Sequence, residues 1–141
     1  MTTRRRAGYI PGVGKPSAAP SAATLQALAE GCRRFDEARW FEAHEVWEDA
    51  WRGEAGRVRL LLQGLIQIAA GFHKGLVHGR PAGMVKLLGA GLAKLEAAGD
   101  LGLVDLTRLR PAVQAWLEAA RRWDAGGPRP ALPPPRLGAA T

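Results

Sequence analysis

One histidine and one glutamate in the first half of the chain have the types and the spacing that proton transfer or metal binding requires. His44 and Glu48 are four residues apart in the segment FEAHEVWEDAW, so on a helix they share one face. An imidazole beside a carboxylate can act as a general acid–base pair, and both groups are metal ligands. Trp47 and Trp51 occupy the adjoining apolar face. The pair is therefore predicted to be either a buried hydrogen-bonded cluster or a small site.

A metal site at this position would need a third ligand from another helix. His73 lies in the long helical segment that follows and is the candidate for that ligand. The zinc-peptidase pattern is absent, because the residue four positions after His44 is Glu48 and not a second histidine. Carboxylate sites in helical bundles draw acids from several helices, and here only Glu48 leans inward. Because there are so few ligands, we predict that the protein has no cofactor. The weaker alternative is a divalent metal ion bound by His44, Glu48 and His73.

A nucleophile is missing from the surroundings of the histidine–glutamate pair. No serine or threonine lies between Thr24 and Thr107, and Cys32 continues the apolar stripe of the first predicted helix, which places it in the core. Hydrolysis would then have to proceed through an activated water. We expect a protein that is not an enzyme, and we keep a metal-assisted or acid–base hydrolase centred on the same three residues as the alternative.

The structural interpretation of these residues is a buried cluster of histidine, glutamate, glutamine and tryptophan. Glu48 would accept a hydrogen bond from a tryptophan N–H or from His44, and Gln63 or Gln67 would complete the network. Buried polar groups need partners, and a satisfied network can fix one packing arrangement. We favour this interpretation, within a binding or interaction module. The candidate binding residues lie on the second and third predicted helices and are Trp47, Trp51, Gln63, Gln67 and Lys74.

Five helices are expected to position these residues in an all-α, compact bundle. Apolar residues recur at intervals of three and four, and no long stretch alternates with a period of two. The predicted helices cover residues 24–37, 40–51, 55–78, 81–97 and 111–123. The third helix is expected to be central. Its Gly64, Gly71 and Gly75 form a stripe without side chains, at which a neighbouring helix can approach closely.

The formal charge of +7 is concentrated outside the predicted bundle. Six of the 20 lysines and arginines, and none of the 13 acids, lie outside residues 21–124, so the bundle itself is nearly neutral. We divide the chain into a flexible basic arm (1–20), a helical bundle (21–124) and a proline-rich tail (125–141). A basic extension steers ligands weakly more often than it specifies a nucleic acid. Nucleic-acid binding through the arms is therefore the weakest of the three functions considered.

The sequence predicts a cytoplasmic protein without a membrane span. A glycine- and proline-rich segment follows Arg4–Arg6, where a secretory signal would have an apolar run. The most apolar stretch, residues 60–72, has 13 residues, fewer than the roughly 20 that a bilayer requires. Cys32 is the only cysteine, so no internal disulfide can form, which suits a reducing compartment. The expected partner is a second copy of the chain or another protein.

The chain contains, in order, the segments FEAHEVWEDAWR, LLQGLIQIAAGFHK and MVKLLGAGLAKL. These three segments resemble domain-of-unknown-function family 309, whose members are small all-helical bacterial and plastid proteins. The family's mark is an AHExxExxW helix ahead of a QGLIQ-type helix. The resemblance spans roughly residues 35–95. The residues carried over are Ala43, His44, Glu45, Glu48 and Trp51 from the first motif and Gln63, Gly64, Leu65, Ile66 and Gln67 from the second. His73 falls near a position where the family often has a histidine. The resemblance implies an all-helical fold and supplies no activity.

Overall fold

The computed structural model describes residues 19–138. In that range the chain forms five α-helices and no strand. The helices are α1 (Ala22–Asp36), α2 (Trp40–Arg52), α3 (Gly56–Phe72), α4 (Pro81–Ala98) and α5 (Leu109–Asp124), and a π-helical turn, His73–Val77, continues α3. This confirms the predicted all-α bundle, with helix ends within about two residues of those predicted. The predicted basic arm lies outside the described residues except for its last two positions.

Local sequence signals determine where the helices begin and end. The hydroxyl of Ser21 accepts a hydrogen bond from the backbone N–H of Thr24 and so caps α1. Pro81 occupies the first turn of α4, where its missing N–H needs no partner. Gly99 ends the same helix with φ +75°, a conformation that glycine adopts readily. With these bounds, α3 packs against α2 on one side and α4 on the other.

The glycine stripe of α3 is a close-packing surface, as the sequence predicts. A Cβ added to Gly64 would lie 3.0 Å from the backbone oxygen of Gly91 in α4, and one added to Gly91 would lie 2.8 Å from the backbone oxygen of Gly64. Gly71 faces Leu88, and Gly75 faces Met84. The helices α3 and α4 therefore approach backbone to backbone, which a larger residue at these positions would prevent.

The core is apolar and centred on Phe72 at the end of α3. Its ring contacts Phe35 of α1, Trp40 of α2 and Trp116 of α5, with centroid distances of 6.1, 5.7 and 5.5 Å. Cys32 lies in the same core and is fully buried, which confirms its predicted place. Burial raises the pKa of its thiol to about 12. Cys32 is therefore a structural residue and not a nucleophile at neutral pH.

The helix formed by α3 and the π-helical turn is longer than the apolar stretch picked out in the sequence. Gly56–Val77 has 22 residues and a mean hydropathy of 1.3 in its most apolar window, so its length and composition would allow it to cross a membrane. Half of that window is buried inside the bundle. Such burial is expected for the core helix of a small soluble domain.

The proline-rich tail turns back and lies across the bundle, and we call residues 125–138 the strap. The side chain of Leu137 is buried, and the carboxylate of Asp36 accepts hydrogen bonds from the backbone N–H groups of Leu137 and Gly138, at 2.6 and 2.9 Å. The indole N–H of Trp116 donates to the carbonyl of Pro133 at 2.9 Å. The strap thus ties the end of α1 to the rest of the bundle.

We expect Asp36→Ala to release the end of the strap. Two N–H groups would lose a charged acceptor, so the free energy of unfolding in urea should fall by about 2 kcal/mol. Limited proteolysis should then cleave within the strap faster than in the parent protein. Asp49→Ala is the matched control, because Asp49 is exposed and, among residues 19–138, its carboxylate pairs only with Arg52 of the same helix. Equal protection of the strap in both variants would contradict the assignment.

Candidate functional site

All three histidines of the chain line one open cavity between α2, the π-helical turn and α4. The cavity has a volume of about 230 Å³. We call it the histidine groove, and its lining residues are Phe41, His44, Ala70, His73, Lys74, His78 and Leu87. It is where the structure collects the side chains best suited to bind a proton or a metal ion.

The π-helical turn brings His73 and His78 together. In an α-helix, residues five apart point about 140° away from each other, whereas the wider π-turn places them on one face. The backbone N–H of His78 donates to the carbonyl of His73 at 3.2 Å. The Nε2 atoms of the two imidazoles are 3.1 Å apart, a distance at which one ring donates a hydrogen bond to the other.

Phe41 connects the histidine of α2 to those of the π-helical turn. Its ring stacks on His44 with a centroid distance of 5.7 Å and tilts against His73 at 5.4 Å. Phe41 is 47% exposed, so an aromatic face remains open to solvent. The Nδ1 atom of His44 is buried and has no hydrogen-bond partner among residues 19–138. The groove therefore combines an exposed aromatic ring with imidazole nitrogens.

The environment of His73 favours its neutral form. Partial burial and, after it, the neighbouring His78 lower the pKa of His73 below its ordinary value of 6.5. The negative charge of Glu42 acts in the opposite direction and is outweighed. At pH 7 we expect His73 to be uncharged, with one ring nitrogen carrying a free lone pair.

Glu48, the predicted partner of His44, does not line the groove. Its carboxylate lies 3.6 Å from the guanidinium of Arg52, one turn further along α2. The predicted buried cluster is therefore wrong, since the indole nitrogens of Trp47 and Trp51 and the Nδ1 atom of His44 have no hydrogen-bond partner in the described part of the chain. The long, half-exposed side chain of Glu48 instead reaches a cation at the surface, where its charge stays hydrated.

The two tryptophans of α2 take part in packing and not in a polar network. Trp47 is fully buried, and its indole ring fills the space above Gly31 of α1. Trp51 is half-buried beneath the guanidinium of Arg59, which lies 4.0 Å from the ring centroid. Both side chains therefore hold α2 against its neighbours.

The remaining predicted binding residues separate into two groups. Gln63 and Gln67 are half-buried on α3 outside the groove, and the side-chain oxygen of Gln67 accepts a hydrogen bond from Lys94 at 3.4 Å. Lys74 does line the groove, and its methylene chain packs against Gly83. His78 is not among the predicted binding residues, and it also lines the groove.

The structure brings together part of the predicted metal set. His44 and His73 both line the groove, while Glu48 does not. Among residues 19–138, no three histidine, cysteine, aspartate or glutamate side chains converge as a ligand set. The predicted trio of His44, Glu48 and His73 is therefore not assembled, and the close pair of imidazoles is His73 and His78.

The part of the chain that contains the histidine groove is similar to a known protein family. The family described as "Domain of unknown function (DUF309)" matches residues 28–87, and the curated proteins searched contain no match. The matched region includes α2, α3, the π-helical turn and the start of α4 up to Leu87, and therefore every lining residue of the histidine groove. The match supports the resemblance seen in the AHE and QGLIQ motifs: residues 28–87 of this chain are similar to domain-of-unknown-function family 309.

Proposed function

We propose that this protein is a non-enzymatic binding module and that the histidine groove is the surface through which it binds a second copy of itself. The observation that carries the proposal is Phe41, a half-exposed aromatic side chain held between two histidines at the edge of a cavity. Aromatic side chains, phenylalanine included, are enriched in protein interfaces relative to the rest of the surface.

The dimensions and chemistry of the groove support a side-chain ligand over a metabolite. A volume of about 230 Å³ is below the 300–1,000 Å³ typical of small-molecule sites. Serine, threonine and cysteine are absent from its lining residues, so hydroxyl or thiol nucleophiles are not available there. A cavity of this size suits one aromatic or aliphatic side chain of a partner protein.

The charge distribution supports self-association. Residues 21–124 carry 14 basic and 13 acidic side chains, so the bundles of two copies repel each other only weakly. Lys74 in the groove and Glu42 near His73 place opposite charges on the same surface. In a two-fold symmetric dimer, the same surface of each chain forms the interface. Lys74 of one chain can then face Glu42 of the other.

We expect Phe41→Glu to weaken self-association in sedimentation equilibrium at least about thirtyfold, since an aromatic anchor contributes about 2 kcal/mol or more. The parent protein should associate in the micromolar range. Leu25→Glu is the matched control, because Leu25 is 45% exposed, much as Phe41 is, but lies on α1 outside the groove. A parent protein that stays monomeric up to millimolar concentration, or equal weakening by both substitutions, would overturn the proposal.

The compartment that we infer is the bacterial cytoplasm. The single cysteine is a buried thiol, so the fold has no need of an oxidising environment. Half of the most apolar helical window is buried within the bundle. Both observations support a protein that acts in a reducing, aqueous compartment.

A further inference from the structure

We propose that His73 and His78 form a two-histidine chelating site for a divalent transition-metal ion that prefers imidazole ligands, of the Cu²⁺, Ni²⁺ or Zn²⁺ class. The proposal goes beyond self-association, because one copy of the chain supplies both ligands. It rests on the position of the two imidazole nitrogens, on the backbone that fixes them and on their access to solvent.

The separation of the ring nitrogens fits a shared metal ion. The two Nε2 atoms are 3.1 Å apart, and metal–imidazole bonds are about 2.0–2.1 Å long. For an ion bound to both nitrogens, the N–metal–N angle would then be about 98°. This angle lies between the octahedral and tetrahedral values, and the ion would replace the shared proton while lying to one side of the line that joins the two nitrogens.

The backbone around the two histidines is held in place at several points. The π-helical turn is closed by hydrogen bonds from Gly79 N–H to the carbonyl of Gly75 at 2.9 Å and from Arg80 N–H to the carbonyl of Lys74 at 3.1 Å. The guanidinium of Arg129, in the strap, donates to the carbonyl of Leu76 at 2.7 Å. A chelate whose two ligands are already positioned loses little conformational entropy when the metal binds.

The site is open rather than closed. His78 is exposed and His73 is half-buried, so water can fill the remaining coordination positions. Because no set of three ligand side chains converges in the described part of the chain, binding should be of moderate affinity and should not be needed for folding. Two imidazoles should bind Cu²⁺ with higher affinity than Ni²⁺ or Zn²⁺.

The test is isothermal titration of the full chain, free of any affinity tag, with NiCl₂, CuCl₂ or ZnCl₂ in a weakly coordinating buffer. We expect one ion per chain with a dissociation constant in the micromolar range. His78→Gln should weaken binding about tenfold or more, because it leaves a single imidazole. His44→Gln is the matched control, since it removes a groove histidine that is not part of the close pair, and it should leave the affinity within about twofold.

The outcomes separate this proposal from self-association. No binding of any of the three ions, or equal weakening by His44→Gln and His78→Gln, would overturn the chelate. Because His78 is exposed, its substitution should leave the urea unfolding midpoint unchanged, so a loss of affinity reports the ligand itself. Titration at a concentration where the chain sediments as a monomer should give the same affinity as at higher concentration. A metal affinity that disappears in the monomer would also overturn the single-chain site.

Discussion

Gly31→Ala is expected to lower the free energy of unfolding by about 3 kcal/mol, the upper end of the range for overpacking a core. An added Cβ would overlap the indole ring of Trp47 and would lie 2.6 Å from its Cδ1 atom. The ring cannot move aside, because Trp47 is fully buried and packs against Phe35 at a centroid distance of 6.1 Å. Helices α1 and α2 would have to separate, which would expose apolar surface.

The control for this prediction is Gly89→Ala, which makes the same chemical change in α4. A Cβ at Gly89 would have no heavy atom within 4 Å, so the higher helix propensity of alanine should stabilise the protein by about 0.5–1 kcal/mol. Urea unfolding followed by far-UV circular dichroism measures both variants. Opposite signs for the two substitutions are expected. An unchanged or higher stability for Gly31→Ala would contradict the close contact between α1 and Trp47.

Phe72→Ala should have a larger effect, a loss of about 3–5 kcal/mol in the free energy of unfolding. The ring of Phe72 is fully buried and touches aromatic rings from three other helices, so its removal leaves a cavity that no single neighbour can fill. A domain of this size has a total stability of about 5–15 kcal/mol. We therefore expect a fall in the midpoint of thermal unfolding of at least about 10 °C.

Phe41→Ala is the control for the loss of an aromatic ring. Phe41 is about half-exposed and leaves no enclosed cavity, so its truncation should lower the free energy of unfolding by less than about 1 kcal/mol. Calorimetry of both variants gives the comparison. If Phe41→Ala destabilised the protein as much as Phe72→Ala does, Phe72 would not be the centre of the core.

Much of the fold could be predicted because the helices obey local rules. Pro81 begins α4 where its fixed φ fits a first turn. The stripe of Gly64, Gly71 and Gly75 could be recognised as a packing surface, since interior glycines weaken a helix unless a neighbour approaches closely. The burial of Cys32 could be predicted from its place in a series of apolar residues with a period of 3.6. Each of these features depends on a few consecutive residues.

The site was only partly predictable because it depends on a departure from α-helical geometry. A wheel of 100° per residue places His78 far from His73, and the π-helical turn reverses that placement. The predicted position of Glu48 was wrong because its side chain lies at the boundary between the apolar and polar faces of α2. Its carboxylate lies near Arg52, a cation one turn away on the polar side. His44 and His73 were correctly placed near each other, since both project from the facing sides of α2 and the end of α3.

The docking of the strap could not be predicted, because it rests on single contacts between residues far apart in sequence. Asp36 and Leu137 are separated by 101 positions, and no periodic pattern marks either of them. A proline-rich composition predicts a segment without helix or strand, and the strap forms neither, but composition does not predict the surface on which it lies.

The contact between Arg129 and the carbonyl of Leu76 has a thermodynamic consequence. The last residues of the strap are joined to α1, and its first part is joined to the π-helical turn that begins at His73. Detaching the strap would therefore remove one of the hydrogen bonds that hold this turn. By linkage, the effect is reciprocal, so an ion or partner that holds the turn in place will also hold the segment down. This hydrogen bond joins residues that are more than a third of the chain apart in sequence.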